Sequence, residues 1–373
     1  MTHRISLIAS AALALVLQSP DVEAANRQQR PLAVWRAAVA EYEARLKIEH
    51  VVGASAVLMR DGAVIGESEH GFQDAAAKRP VSRDTLYHWA SNTKTLTGIA
   101  VMQLRDHGLL KLDDPVTRYL PEFKAVHNRF GSPEDITIRH LLTHSSGLRA
   151  STWPWRGEQN WQPFEPTQWA QLVAMFPYTE IEFVPGSKYS YSNPGITLLG
   201  RIVEVLSGED VEVYLDKHIL KPLAMYRSYF DLTPWHLRAD RSHNYLVDEQ
   251  GKLNEQPTEF DTGVTVANGG LNAPLADMMK YTDFLLGVGD NGNYEFVLSR
   301  SSLMEMLTPS LPVSQSAQRR NSIGLVFFIS EQLDADGRVV ETYFGHSGFQ
   351  SAFRSWIKLS LRHKAAFIAA INT

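Results

Sequence analysis

Ser91-Asn92-Thr93-Lys94-Thr95-Leu96-Thr97-Gly98-Ile99-Ala100-Val101-Met102-Gln103-Leu104-Arg105-Asp106-His107 is the stretch on which the fold turns. Leu96, Ile99, Ala100, Val101, Met102 and Leu104 leave it apolar almost all round, so it reads as a helix buried on every side. Gly108 follows as a stop signal. A helix of that kind needs layers around it, and the sequence on either side supplies them. On the N-terminal side, Val51 to Met59 and Ala63 to Phe72 are extended runs split by Arg60-Asp61-Gly62, a hairpin signature. Before them, Trp35, Val39, Tyr42 and Leu46 recur at helical spacing, with Glu43 and Lys47 paired on the exposed side. On the C-terminal side, helices are expected at Ile138 to Leu142, Thr167 to Phe176, Gly195 to Leu206, Val211 to Leu220, Pro274 to Leu286 and Arg300 to Leu307. Strands return at Ile323 to Ile329 and Arg338 to Phe344, around Asp334-Ala335-Asp336-Gly337. Ser351 to Leu359 and Ala365 to Ile371 form a last pair around Arg362-His363-Lys364. Strands at both ends with helices between them predict an α+β fold. An antiparallel sheet flanked by helices is built from 30–88 and 318–373, and a mostly helical domain, 89–317, is inserted into it.

Composition narrows the function classes. The chain has 373 residues, 44% of them hydrophobic, no cysteine and a formal net charge of −5. That is too apolar for disorder and large enough to hold a core without disulfides or a structural metal. The missing cysteines exclude thiolate metal sites and a cysteine nucleophile. The mild acidity, without long basic runs, argues against nucleic acid as a partner. His3 and Arg4, the apolar run Ile5 to Leu17, and the small residues of Val22-Glu23-Ala24 form the three-part pattern of a signal peptide over 1–24. The mature protein is therefore expected to be exported, periplasmic or secreted. No second apolar run reaches membrane length, so no membrane span is expected.

Three short motifs carry candidate chemistry. In Ser91-Asn92-Thr93-Lys94 the lysine lies one helical turn beyond the serine, on the same face. Burial would lower its pKa and make it a base for the serine hydroxyl. The helix N-terminus would offer N–H groups to a developing oxyanion. Ser355-Trp356-Ile357-Lys358 has the same spacing but lies in a strand, where residues i and i+3 point to opposite faces. Tyr191-Ser192-Asn193 falls in a Pro- and Gly-bounded loop, where a tyrosine near a cationic lysine can act in proton transfer and Asn193 can bond a substrate carbonyl and the lysine. Gly345-His346-Ser347-Gly348-Phe349 enters a strand. There Gly348 permits close approach of a substrate backbone, and His346 can hold an anionic substrate end.

Taken together and in this order, the three motifs resemble the serine β-lactamase and penicillin-binding-protein superfamily, in its tyrosine-containing branch of class C β-lactamases, D-alanyl-D-alanine carboxypeptidases, D-aminopeptidases and esterases. The resemblance runs from about Val51 onward and includes His140-Leu141-Leu142-Thr143-His144-Ser145-Ser146-Gly147-Leu148 and Gly269-Gly270-Leu271 ahead of a helix holding Asp277. It implies an α/β sandwich and an acyl-enzyme mechanism without cofactor or metal. Ser91 would be the nucleophile, and Lys94 and Tyr191 would share the proton transfers. Asn193, His346, Ser347 and Gly348 would bind substrate, and the backbone N–H groups of Ser91 and Phe349 would form the oxyanion hole. His346 and Ser347 stand where many members have Lys-Thr, which weakens a specific β-lactamase reading. The C-terminal helix usual in the family is not seen after Ile371, which would leave one sheet face uncovered.

The expected activity is thus hydrolysis of an amide, ester or β-lactam bond in a small molecule or short peptide. The alternative is a non-catalytic relative that binds β-lactams or peptidoglycan peptides. An α/β-hydrolase built on Ser347 fails because no acid follows it in the chain. Zinc at His140 and His144 lacks the glutamate of His-Glu-x-x-His, since Leu141 holds that place. Trp153, Trp155, Trp161, Trp169 and Phe164 would form either a lid over the acyl group or a loop packed on the helical domain.

Overall fold

The structure is a computed structural model that describes residues 29–152, 166–248, 250–257, 261–288 and 294–373. The signal-peptide reading and most of the tryptophan-rich segment lie outside the described residues. Trp169 lies within them, its indole donating to Glu122 Oε1 at 2.8 Å.

Gly53–Arg60 (β1) is buried at every position but the last, as a strand covered on both faces must be. It is flanked by Ala63–Asp74 (β2), which continues to Arg79–Pro80 (β3), and by Ala365–Ile371 (β14). From β14 the sheet extends through Phe353–Ser360 (β13), Val339–Gln350 (β12), Phe328–Leu333 (β11), Arg319–Ile323 (β10) and Leu311–Gln315 (β9), antiparallel throughout. Gln29–Ile48 (α1) lays Trp35, Tyr42 and Leu46 on one face, against Leu58, Phe367 and Ile371. Trp356 joins that layer from β13. The opposite face carries Val57, Phe353, Ile357 and Leu359 into the main core with the inserted segment. There Thr93–Asp106 (α2) is buried from Thr93 to Leu104, as its all-round apolar sequence requires.

Around α2 stand Ile138–Leu142 (α3), Trp169–Val173 (α4), Asn193–Ser207 (α5), Val211–Leu215 (α6), Val266–Gly269 (α7), Leu275–Leu286 (α8) and Arg300–Met306 (α9). The inserted segment is less helical than expected. It holds a small sheet of Leu86–His88 (β4), Leu271–Pro274 (β8) and Tyr229–Phe230 (β5), and a hairpin of Asn244–Val247 (β6) and Leu253–Gln256 (β7). Two expected boundaries also differ. The large sheet takes up the chain again at Leu311, ahead of residue 318. The apolar run Ile323 to Ile329 is no single strand. β10 ends at Ile323 and β11 begins at Phe328, with Val326 between them at φ 60°. Val326 donates its N–H to Leu142 O at 2.8 Å, and a Cβ on Gly98 would lie 2.5 Å from its Cγ2. The run is apolar because the turn plugs into the core beside α2.

Candidate active site

Ser91 sits in a single 3₁₀ turn, Ala90–Asn92, that leads into α2. Ala90 takes φ 46°, a left-handed value a non-glycine residue holds only where its surroundings enforce it. Most of the enforcing contacts come from distant parts of the chain. Ser355 Oγ donates to Trp89 O at 2.9 Å and accepts from Asn92 Nδ2 at 2.8 Å. Trp89 Nε1 donates to Ala273 O at 2.9 Å, and Thr93 Oγ1 donates to Ala90 O at 2.6 Å. Gly348 completes the clamp, since a Cβ there would lie 2.1 Å from Trp89 O and 2.6 Å from Ser355 Oγ. The missing side chain of Gly348 admits the turn that holds Ser91 against the strand. Gly348→Ala is therefore expected to displace that turn. Overpacking against backbone costs at least about 1–3 kcal/mol, read as a lowered melting temperature, and labelling of Ser91 by an active-site probe should fall with it.

The serine hydroxyl has partners on two sides. Lys94 Nζ is 3.0 Å from Ser91 Oγ, and Tyr191 OH donates to the same oxygen at 2.9 Å. Lys94 is fully buried and also donates to Asn268 O at 2.6 Å. Among the described residues no carboxylate pairs with it, and desolvation pulls its pKa well below the ordinary lysine value. Burial drives the Tyr191 phenol the other way, above its usual range, so it stays protonated. Its ring lies 5.1 Å from Lys94 Nζ.

His346 faces this cluster from β12, its ring centroid 6.4 Å from that of Tyr191. The motif lies inside one unbroken strand rather than at a strand entry, because β12 runs on to Gln350. His346 Nδ1 lies 2.7 Å from Ser347 O, and a carbonyl only accepts, so Nδ1 carries the proton. Nε2 is then a lone pair, buried with no partner among the described residues. Burial, with Lys94 nearby, pushes the imidazole pKa down to about 3, so the ring is neutral. Asn193 opens α5 after its cap, Ser192, and its Oδ1 is likewise buried without a partner. Asn193 is not a partner of Lys94; the Asn268 carbonyl takes that position. Ser347 is exposed, on the strand position between the inward His346 and Gly348. Phe349, the other expected oxyanion donor, follows Gly348 on the strand that abuts the turn holding Ser91.

Asn268 is the member of this cluster that sequence reading missed. It acts through a backbone carbonyl, which has no residue signature; the neighbouring Gly269-Gly270-Leu271 was the only pointer. His140 Nδ1 accepts Thr137 N–H at 3.3 Å in a helix capping box. Lys358 lies across the sheet from this cluster, its Nζ 3.9 Å from the centre of the Tyr343 ring.

A family model described as beta-lactamase matches residues 37–373. The chain is 33% identical over 193 residues to an esterase, EstB, of Burkholderia gladioli, covering 50% of this chain and 49% of that protein. It is 32% identical over 191 residues to protein flp of Staphylococcus aureus strain MW2, covering 51% of this chain and 37% of that one. The chain thus spans about a third to a half of the length of these curated relatives. Among solved structures, the octameric penicillin-binding protein homologue from Pyrococcus abyssi superposes with a TM-score of 0.76 at 28% identity, covering 91% of this chain and 72% of that one. A class C beta-lactamase shares the fold, with a TM-score of 0.70 at 18% identity and 88% of each chain covered.

Proposed function

This chain belongs to the beta-lactamase family, and we propose that it is an exported serine hydrolase, periplasmic or secreted, acting through an acyl-enzyme on an amide, ester or β-lactam bond. The observation that carries the reading is Ser91 Oγ held between Lys94 Nζ at 3.0 Å and Tyr191 OH at 2.9 Å. A neutral Lys94 accepts the Ser91 proton while its own N–H stays on Asn268 O. The freed oxygen attacks the substrate carbonyl, and the carbon–leaving-group bond then breaks as Tyr191 protonates the departing atom. The proton taken up by Lys94 then passes to the Tyr191 oxygen, which returns both groups to their starting states. Water then enters where the leaving group left, and the same groups run the sequence in reverse.

Neutral His346 presents a lone pair where lysine-bearing relatives would place a cation, which favours an uncharged substrate end. The similarity to an esterase over half the chain supports the same preference. Purified protein tested against p-nitrophenyl esters, D-Ala-D-Ala peptides and the β-lactam nitrocefin chooses among the three bonds. Turnover of none of them, with no covalent adduct from a fluorophosphonate, would sink the hydrolase reading.

His346→Lys is expected to redirect specificity rather than abolish turnover. The longer side chain brings an ammonium to the substrate end and should raise the rate on carboxylate-bearing β-lactams relative to neutral esters about tenfold, equivalent to about 1.4 kcal/mol. An unchanged ratio of the two rates would remove His346 from contact with that end.

A further inference from the structure

His144 holds Tyr191 from three directions. Its carbonyl accepts the N–H of Ser190 at 2.7 Å, and its Nδ1 accepts the N–H of Ser192 at 3.2 Å. The residues on both sides of the tyrosine are thus tied to one histidine. Its ring also lies against the Tyr191 ring, centroids 4.5 Å apart and planes 32° apart. His144 is fully buried and takes φ 50°, strained for a non-glycine residue. It lies just past α3, after the C-cap Thr143, and belongs to the phrase His140 to Leu148.

We propose that His144 is a positioning residue for Tyr191, which aims the phenol at Ser91 by gripping the backbone before and after it and stacking on its ring. The proposal rests on the reading of Tyr191 as the group that donates a hydrogen bond to Ser91 Oγ and then acts as proton donor to the leaving atom. An Nδ1 that accepts leaves the proton on Nε2, so His144 serves as a neutral, fixed tautomer. A displacement of about 1 Å at such a group costs on the order of a hundredfold in rate.

The test follows the rate of covalent labelling of Ser91 by a fluorophosphonate, together with kcat and KM on a p-nitrophenyl ester. His144→Phe keeps a ring but loses the acceptor. It should slow labelling and kcat about 10- to 100-fold, with KM held within about twofold. His144→Asn restores an acceptor and should recover part of that loss. In a Tyr191→Phe background, already slow, His144→Phe should change the rate by less than about twofold, because a residue acting through Tyr191 has nothing left to position. Labelling at the wild-type rate in His144→Phe would overturn the proposal. So would an equal proportional loss in both backgrounds, or a loss that tracks the melting temperature with no recovery in His144→Asn. If Tyr191→Phe alone labels as fast as wild type, the proton-donor reading itself fails and takes this role with it. If His144→Phe is unaffected while Tyr191→Phe is slow, only the role of His144 fails.

Discussion

Ser91→Ala is expected to abolish turnover while leaving the protein folded. In the unaltered protein a fluorophosphonate, or a slowly hydrolysed β-lactam, should add one adduct by intact mass, and the labelled peptide should contain Ser91. The variant should take no label. Loss of activity should reach several powers of ten, because the acyl-enzyme route disappears with the oxygen that forms it. Stability should fall little. The turn is held by Trp89, Ala90 and Asn92 through Ser355, Ala273 and Thr93, none of which bonds the Ser91 hydroxyl. Substrate binding should survive, since His346 and Asn193 are untouched. Label on Ser347 or Ser355 in a fully active Ser91→Ala variant would overturn the assignment.

Removal of Lys94 should be nearly as severe, and it separates two lysines that look alike by charge alone. Burial depresses both: Lys94 falls well below its ordinary value, and Lys358 is pushed down to about 7. Geometry distinguishes them. Lys94 reaches a serine hydroxyl, whereas Lys358 rests on the Tyr343 ring on the other side of the sheet. Lys94→Ala should cut the acylation rate by at least about a hundredfold, in line with loss of a general base. Lys358→Ala should stay within about twofold of wild type. Equal losses in both would mean that the shared-face argument is wrong. The pH dependence has a definite sign. A base works unprotonated, so kcat/KM should fall as pH drops through the lowered Lys94 pKa and level off above it. The same shift bears on folding. The unfolded chain binds a proton on Lys94 that the folded chain sheds, so this contribution to stability weakens as pH falls below the ordinary lysine pKa. Lys94→Met, which removes the buried amine at similar volume, should be inactive yet melt no lower than wild type at neutral pH.

How far the sequence could be read depended on what each feature is made of. Ser91 and Lys94 were legible because helical geometry alone decides that residues three apart meet, and the same rule dismissed Ser355 and Lys358 as a pair. Ser355 nevertheless proved essential to the geometry, as a clamp on Trp89 and Asn92. Ala365 to Ile371 was legible as a strand because a short, wholly apolar run between turn signals has few other uses. Ile323 to Ile329 was not, because its apolar residues serve a left-handed turn at Val326 that no propensity favours. The strands β4, β5 and β8 escaped because segments of two to four residues show no usable alternation. The Asn268 carbonyl is a main-chain atom, which every residue type supplies equally, and the grip of His144 falls on the main-chain N–H groups of Ser190 and Ser192.

The clamp on the Ser91 turn sets a schedule for the newborn chain. Asn92 and the serine that pins it are 263 residues apart. At about 5–20 residues per second, synthesis leaves this turn without that support for some tens of seconds. β14, which lies between β1 and β13, arrives later still. Until then the turn that holds Ser91 lacks the contacts that Ser355 and Gly348 make with Trp89. The support of this N-terminal turn thus waits on β12 and β13, strands from the far end of the sheet-forming sequence.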